Sequence, residues 1–151
     1  MTEKKRKVLF DENQIKEAVK RVGAQITEHY KDESVVVVPL LRGSFIFAAD
    51  LVREIQSPVV IDFMTTSSYE DSECSSGQVQ VLQSLRCSIE GKNVLVVDDI
   101  CDSGNTAKNI MDLLSLENPK SLKLAVMLDK PSRRQVEIKP DFVGETIEDV
   151  F

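Results

Sequence analysis

The chain has 151 residues, of which 42% are hydrophobic and 29% charged, and its formal net charge is −6. This length and composition are typical of one globular domain with its own core. The negative charge argues against nucleic acid as a partner, because binding to its backbone requires a basic surface. Since neither a secretory leader nor a membrane-spanning apolar run is recognisable, we expect a soluble, cytoplasmic protein without membrane partners.

The cysteines and the single histidine limit the metal and redox chemistry. Cys74, Cys87 and Cys101 form an odd set without paired spacing, which is typical of free thiols in a reducing compartment. With one histidine, His29, and no C-x-x-C motif, the sequence does not support a zinc site. His29 lies on a predicted helix, where we expect it to be exposed or packed rather than catalytic.

The first third of the chain predicts alternating helices and strands. Apolar residues recur at helical spacing over residues 12–30, and Asp11 with Gln14 matches a capping box at the start of this helix. The further predicted elements are an apolar strand over residues 34–40, a helix over 45–55 and a strand over 59–64.

Residues 65–77 interrupt this alternation. They contain almost no aliphatic residues, so we expect a long polar loop, and loops of this length are often functional lids. Residues 78–83 then alternate polar and apolar side chains, which predicts a half-exposed strand.

The second half predicts strands buried on both faces. Apolar residues 94–97 form the first, followed by a helix over 106–116, a second strand over 122–128 and a short strand over 141–144. The strand–helix–strand unit is expected to cross over right-handed. We therefore predict an α/β fold, a single domain over residues 1–151 with a mainly parallel central sheet flanked by helices.

Three carboxylates and a run of small residues follow the strand over residues 94–97. Asp98, Asp99 and Asp102 fall at its expected carboxyl end, where parallel sheets bind ligands. Residues 103–106 (Ser-Gly-Asn-Thr) begin a helix, whose N–H groups can cradle a phosphate. Carboxylates beside a phosphate cradle fit a phosphorylated ribose. The alternative, acids that bind the metal of a nucleotide hydrolase, lacks the G-x-x-x-x-G-K-[ST] loop.

Residues 94–107 resemble the signature segment of type I phosphoribosyltransferases, and the resemblance extends from Val35 onward. Further stretches resemble the hypoxanthine (hypoxanthine-guanine) branch of that family. These are residues 40–44 (LLRGS), 62–64 (DFM) with 67–69 (SSY), 128–134 (LDKPSRR) and 140–144 (PDFVG). Their order along the chain makes the resemblance specific.

The resemblance implies purine salvage. The 5-phosphoribosyl group of phosphoribosyl diphosphate is transferred to N9 of hypoxanthine or guanine, giving IMP or GMP and diphosphate, with Mg²⁺ as cofactor. A homodimer or homotetramer is also implied. Two alternatives remain, a xanthine-preferring enzyme and a regulatory protein of the same fold that binds nucleotides and RNA. The acidic composition weighs against the regulatory alternative.

The resemblance also assigns roles around the sugar and its phosphate. Asp98 and Asp99 would accept hydrogen bonds from the ribose hydroxyls, and Mg²⁺ would be held by these acids through those hydroxyls or water. The 5′-phosphate would be bound by the loop of Asp102, Ser103, Gly104, Asn105 and Thr106. Asp102 would also move a proton at purine N7, although helix N-capping is an alternative role for this residue.

The diphosphate, base and lid positions are implied in the same way. Leu41, Arg42 and Gly43 would bind the diphosphate, with a cis peptide before Arg42; an ordinary strand–helix turn is the alternative. Lys130 would donate to the oxygen at purine C6, or else be a surface lysine. Ile100 and Phe151 would contact the purine, and Ser68 and Tyr69 would belong to the lid.

Three positions depart from the family pattern. Asp98 stands where relatives often have the longer Glu. Cys101 replaces an aliphatic residue of the phosphate loop, and we expect either an apolar filler or an oxidation-sensitive thiol. Relatives continue beyond the aromatic residue that matches Phe151. The resemblance therefore implies either that the sequence is shortened or incomplete, or that the enzyme is weakened, with low or no turnover but retained binding of the phosphoribosyl phosphate.

Overall fold

The computed structural model describes residues 8–68 and 79–148. Its helices and strands alternate as the sequence predicts, with a 3₁₀ turn near the end. In chain order they are α1 (Glu12–Tyr30), β1 (Val35–Leu41), α2 (Phe45–Arg53), β2 (Val59–Ile61), β3 (Met64–Ser68), β4 (Val79–Gln83), β5 (Asn93–Cys101), α3 (Asn105–Ser115), β6 (Ser121–Asp129), the 3₁₀ turn Pro131–Arg133 and β7 (Phe142–Thr146).

The strands form a sheet in the order β4-β3-β1-β5-β6-β7, and β2 pairs with β1 beside β3. Every pairing is parallel except that of β3 with β4. The predicted α/β class with a mainly parallel sheet is confirmed. None of the helices in the described ranges is long and apolar enough to cross a bilayer.

The central strands explain the apolar runs of the sequence. β1, β5 and β6 are covered on both faces, so successive residues such as Val94, Leu95, Val96 and Val97 are all buried. One core cluster lies against α1 and α2, and the other lies against α3. This two-layered core makes the sheet a rigid support for the loops at its carboxyl edge.

Helix α1 begins as its capping residues predict. The Asp11 carboxylate accepts from the Gln14 backbone N–H at 2.8 Å, and the Gln14 side chain accepts from the Asp11 N–H at 2.8 Å. These two bonds satisfy donors that a helix start leaves unpaired. The exposed His29 packs edge-on against Tyr30 and Phe142, which confirms its expected packing role.

The strand predicted over residues 59–64 is in fact two strands. β2 ends at Ile61 and β3 begins at Met64, because the buried Asp62 turns its carboxylate to backbone donors. It accepts from the N–H of Phe63 at 3.0 Å and from those of Arg86 and Cys87 at 2.9 and 3.0 Å. Because its carboxylate is held by three backbone N–H groups, Asp62 does not fit the regular side-chain alternation of a continuous strand.

The loop predicted over residues 65–77 is also too long. Residues 65–68 belong to β3, which pairs with β4 in an antiparallel hairpin. Polar residues suit this edge hairpin because much of it faces solvent. The strand predicted over residues 78–83 is confirmed as β4, and residues 69–78 lie outside the described part of the chain.

Strand β5 is longer than its apolar run. The ladder with β6 continues through Asp98 and Ile100 to Cys101, which pairs with Asp129. Asp98 and Asp99 therefore lie in the last part of the strand itself, not in the loop after it. A strand places them more rigidly than a loop would.

Candidate active site

A cavity of about 200 Å³ opens at the carboxyl edge of the sheet, between the end of β5 and the start of α3. This is the edge at which parallel α/β sheets bind ligands. The cavity is lined by Asp98, Asp99, Ile100, Cys101, Asp102, Ser103, Gly104, Thr106 and Ala107. Apart from Asn105, the predicted ribose and 5′-phosphate residues thus meet in one cavity, together with the predicted purine contact Ile100.

The turn into α3 is built around Gly104. Its φ of 84° is left-handed, and an added Cβ would lie 2.6 Å from the Cγ2 of Ile138, so both conformation and packing require glycine. The first N–H groups of α3 come immediately after this turn, and they have no hydrogen-bond partners inside the helix because no helical carbonyl precedes them. The turn can therefore present amide donors to an anion.

Asn105 begins α3 with its side chain turned elsewhere. Its Nδ2 donates to Gln135 Oε1 at 3.0 Å, while its backbone N–H donates to Ser103 Oγ at 3.3 Å. The side chain is not among those that line the cavity. In this structure Asn105 therefore contributes to the shape of the loop.

Asp102 lines the cavity and does not cap the helix. Its carboxylate accepts from the Ser103 N–H at 2.6 Å, whereas the N-cap residue of α3 is Gly104. The alternative helix-capping role is wrong because two residues, Ser103 and Gly104, separate Asp102 from the start of α3. The half-buried carboxylate remains at the cavity wall.

Asp98 and Asp99 form a close acidic pair. Asp98 Oδ1 accepts from the Asp99 N–H and Asp99 Oδ1 from the Ile100 N–H, each at 2.9 Å. Burial raises the pKa of Asp98 to about 8, and the hydrogen bond and charge of Asp99 add to this effect. Such a pair is suited to a cation or to hydroxyl donors that neutralise it.

The oxygen donors of this pair fit Mg²⁺, which uses few protein carboxylates together with water and phosphate oxygens. No group of three or more metal-ligating side chains occurs in the ranges 8–68 and 79–148. A cation at Asp98 and Asp99 would therefore take its other ligands from substrate or water.

The turn after β1 lies against the acidic pair. The Leu41–Arg42 peptide is cis, as the resemblance predicts. A Cβ added at Gly43 would lie only 2.9 Å from Asp99 Oδ2, so glycine is needed for this approach. Both features distinguish this segment from an ordinary strand–helix turn, and they place the predicted diphosphate residues beside the predicted ribose residues.

Lys130 is buried beyond the end of β6, with 5% of its surface exposed. Its backbone N–H donates to the carbonyl of Cys101 at 2.9 Å, which holds it beside the phosphate loop. The alternative, a surface lysine in a polar loop, is therefore wrong. Lysines are rarely buried unless they are engaged by a partner.

Arg134 and Gln135 were not singled out by sequence reasoning. The Arg134 guanidinium ion-pairs with Asp129 and donates to the carbonyl of Asp102 at 3.1 Å. The Gln135 N–H donates to the carbonyl of Ser103 at 2.8 Å. Arg133 and Arg134, a few residues after a buried strand, were the available signal, but the Asp102 carbonyl that Arg134 binds lies 32 residues away along the chain.

Cys101 behaves as an apolar filler. It is buried, and burial raises the pKa of its thiol to about 11. Since the thiolate is the reactive form, this opposes the expectation of an oxidation-sensitive thiol. Cys87 is also a free thiol, but it is exposed.

Of the predicted lid and purine-stacking residues, Ser68 lies in the described part of the chain. Ser68 is the last residue of β3, at the end of the hairpin that begins beside the turn after β1. Tyr69 and Phe151 lie outside the described residues. Their lid and purine-stacking roles stay predictions.

Residues 6–151 match the family model of the phosphoribosyl transferase domain. The chain is 49% identical over 146 residues to a hypoxanthine phosphoribosyltransferase of Salmonella typhimurium, an alignment that covers 95% of this chain and 82% of the relative. It is 45% identical over 144 residues to a hypoxanthine-guanine phosphoribosyltransferase of Staphylococcus epidermidis, covering 95% and 80%. A solved hypoxanthine-guanine phosphoribosyltransferase of Bacillus anthracis superposes with a TM-score of 0.91 at 42% identity, covering 98% of this chain and 87% of that one.

The chain therefore belongs to the phosphoribosyltransferase family, a class of transferase enzymes that the fold and the acid-and-phosphate loop also define. Within it, the relatives lie on the hypoxanthine (hypoxanthine-guanine) branch. The resemblance stated from residues 40–44, 94–107 and 128–134 is confirmed, as is the inference of a purine-salvage enzyme.

Proposed function

We propose that this chain transfers the 5-phosphoribosyl group of phosphoribosyl diphosphate to N9 of hypoxanthine or guanine, releasing diphosphate and giving IMP or GMP. One observation carries the proposal. A single cavity joins Asp98 and Asp99 to the phosphate loop. Gly43 lies against Asp99, and the Lys130 backbone N–H donates a hydrogen bond to the Cys101 carbonyl. The pair of substrates that fits these positions is phosphoribosyl diphosphate, with its ribose hydroxyls, 5′-phosphate and diphosphate, and a purine base.

The sugar and its 5′-phosphate are held by adjacent parts of this cavity. The carboxylates of Asp98 and Asp99 accept hydrogen bonds from the 2′ and 3′ hydroxyls, since ionised carboxylates are acceptors only. The amides of residues 103–106 and the hydroxyls of Ser103 and Thr106 bind the 5′-phosphate at the start of α3. Holding both ends fixes ribose C1 relative to the attacking base.

The diphosphate lies along the turn of Leu41, Arg42 and Gly43. The exposed Arg42 supplies a positive charge, and Gly43 lets the backbone approach the acidic pair. Asp98 and Asp99 would hold Mg²⁺, either through the ribose hydroxyls or through water. When bound, this ion supplies positive charge that favours departure of the diphosphate.

The purine is recognised at the ends of β5 and β6. Asp102 lies at N7 and carries a proton to or from the base as N9 attacks C1. The buried Lys130 donates to the oxygen at C6, which disfavours adenine because adenine places a donor there. Ile100 contacts the ring, Phe151 stacks on it, and Ser68 and Tyr69 belong to the lid that excludes water.

The chain also works as a homo-oligomer, a dimer or tetramer, in a reducing cytoplasmic setting. Phe45 and Ile46 begin the helix after the diphosphate turn and are 58% and 63% exposed, which supports burial against a second copy. The free thiols of Cys87 and Cys101 support the reducing compartment. We expect sedimentation to give a dimer or larger species that Phe45→Ser weakens; a monomer at micromolar concentration contradicts the assembly.

One assay tests the proposed reaction. The purified chain is incubated with phosphoribosyl diphosphate, Mg²⁺ and one of hypoxanthine, guanine, xanthine or adenine. We expect IMP or GMP from the first two bases and little product from adenine. Preference for xanthine would instead support a xanthine-preferring enzyme. Failure with every base, combined with tight RNA binding, would support a regulatory protein.

A further inference from the structure

One arginine links the two strand ends that carry the catalytic and base-recognition residues. Arg134 has a side chain that is 15% exposed, and it ion-pairs with Asp129, which is 10% exposed. The same guanidinium donates to the carbonyls of Asp102 at 3.1 Å and Cys101 at 3.3 Å. We call Arg134 with these three acceptors the Arg134 bridge.

The bridge acts where the sheet itself stops. The last paired residues of β5 and β6 are Cys101 and Asp129, and the chain beyond them continues as Asp102 on one side and Lys130 on the other. One backbone bond, from the Lys130 N–H to the Cys101 carbonyl at 2.9 Å, spans these ends. Arg134 adds a charged connection across the same gap.

The chemistry of the bridge requires arginine. A guanidinium presents donors in a planar fork, so it can reach two neighbouring carbonyls and a carboxylate at once. The ammonium of lysine is a point charge on a flexible chain and cannot reproduce this geometry. Because the pair is largely removed from water, its loss would leave Asp129 buried without its partner.

The position of the bridge determines what it controls. The carbonyl oxygen of Asp102 belongs to the peptide that follows its Cα, so a bond to that oxygen restrains the backbone from which the Asp102 side chain projects. Gln135, the next residue, instead holds the Ser103 carbonyl at 2.8 Å and the Asn105 amide at 3.0 Å. Arg134 thus holds the proposed proton carrier, whereas Gln135 holds the phosphate loop.

We propose that Arg134 is a positioning residue that keeps Asp102 at a fixed distance from Lys130, so that both meet one purine ring at N7 and at the C6 oxygen. The proposal rests on the function proposed above. Arg134 does not touch the reacting atoms; it acts through the backbone of Asp102 and through Asp129. Loss of the bridge therefore affects turnover more than sugar-phosphate binding.

The test compares Arg134→Met and Arg134→Lys with Arg53→Met. Arg53 is a matched control because it makes an exposed ion pair with Asp50, away from the site. Steady-state rates with hypoxanthine are measured alongside ribose 5-phosphate binding by calorimetry and thermal unfolding. We expect Arg134→Met to lower kcat about 100-fold, as small misplacements of reacting groups do, with a much smaller change in ribose 5-phosphate affinity.

Two further readouts distinguish positioning from general stability. Added guanidinium should restore part of the kcat of Arg134→Ala, whose small side chain leaves room for it, and Arg134→Lys should stay impaired although it keeps the charge. Parental kcat in a folded Arg134→Met overturns the proposal. So does a kcat that falls only in proportion to the folded fraction and, in Arg134→Ala, is not rescued by guanidinium.

Amide hydrogen exchange tests the bridge without turnover. We expect the Lys130 and Ser103 N–H groups to exchange at least about 10-fold faster in Arg134→Met, and to be unchanged in Arg53→Met, because local opening is no longer restrained. If the parental chain transfers to no base, the proposed function fails, and the bridge is judged by exchange alone. Unchanged exchange in Arg134→Met then overturns it.

Discussion

The two edges of the sheet use polar residues in different ways. At the amino edge, Ser121 Oγ donates to Asn93 Oδ1 at 2.7 Å and Asn93 Nδ2 donates to the Ser34 carbonyl at 3.3 Å, so these groups satisfy one another. At the carboxyl edge, Asp98, Asp99 and Asp102 line one cavity, where burial first and the neighbouring acids second raise the pKa of Asp98 to about 8.

The difference separates structural from functional polarity. Mutually satisfied polar groups stabilise a fold, whereas like charges gathered in a cavity reduce its stability and await a ligand. The same two strands, β5 and β6, carry both kinds of group at opposite ends. Substitutions at the two edges are therefore expected to differ in their effects on activity, on stability and on pH dependence.

The largest expected effect is on turnover, from Asp102→Asn. An amide cannot carry the proton of the purine, so kcat should fall by about 10²–10⁴, the range typical of a lost general acid or base. IMP formation measured by absorbance checks this. The matched control is Asp112→Asn on α3, an exposed acid whose ion pair with Lys108 is remote from proton transfer. A near-parental rate for Asp102→Asn would remove Asp102 from the catalytic role.

A pair of glycine substitutions separates close packing from backbone conformation. Gly104→Ala should lower the free energy of unfolding by about 2–4 kcal/mol, since a left-handed φ and a clash with Ile138 act together. Gly91→Ala has a similar φ of 71° but open space around it, so about 1–2 kcal/mol is expected.

Urea unfolding measures both glycine variants. Ribose 5-phosphate affinity should also fall for Gly104→Ala and stay unchanged for Gly91→Ala, which lies near the amino edge. Equal losses of stability in the two variants would contradict the close packing of the phosphate loop.

The acidic pair predicts a pH dependence of stability. The pKa of Asp98 is about 8 in the folded chain and 3.8 ordinarily, so the folded state binds the proton more tightly. Its favourable contribution is complete below about pH 4 and is lost as the pH rises through about 8. Asp98→Asn should therefore raise Tm at pH 9 by roughly 4 °C or more and by a clearly smaller amount at pH 5, where only part of the contribution is lost.

Thermal unfolding of the ligand-free chain across this pH range measures the effect. The exposed Asp112→Asn serves again as control and should shift Tm equally at both pH values. A Tm difference for Asp98→Asn that does not grow with pH would show that the pair is ionised throughout.

The smallest expected effect concerns an exception near the amino edge. The hydroxyl of Tyr30 is buried, and no hydrogen-bond partner for it occurs in the described part of the chain. Burial raises the pKa of Tyr30 to about 12. Because an unpaired hydroxyl contributes no net bond, Tyr30→Phe should change the free energy of unfolding by less than about 1 kcal/mol, in the stabilising direction. A clear loss of stability in chemical denaturation would reveal a partner for this hydroxyl.

Features encoded by neighbouring residues were predictable from sequence. The apolar run Val94–Val97 predicted a strand buried on both faces, and Asp11 with Gln14 predicted the start of α1. The residues proposed to bind the sugar and the 5′-phosphate could be predicted because they lie in one contiguous segment, residues 98–106. In each case the interacting groups lie within about ten residues of one another.

Features that depend on distant contacts were not predictable in the same way. The break between β2 and β3 follows from bonds that join Asp62 to the amides of Arg86 and Cys87, 24 and 25 residues away. The Arg134 bridge likewise spans 32 residues to reach Asp102. The burial of Lys130 depends on how the loop after β6 packs on the end of β5. Local patterns do not contain this information.

The central claim is that ligand binding is confined to the carboxyl edge. The most direct measurement is an amide NMR titration of the chain with ribose 5-phosphate in the presence of Mg²⁺. The account predicts shifts for Asp99 and for residues 103–107, and none for Asn93, Lys120 or Ser121 at the amino edge. Shifts centred on the amino edge, or no shifts at millimolar ligand, would contradict it.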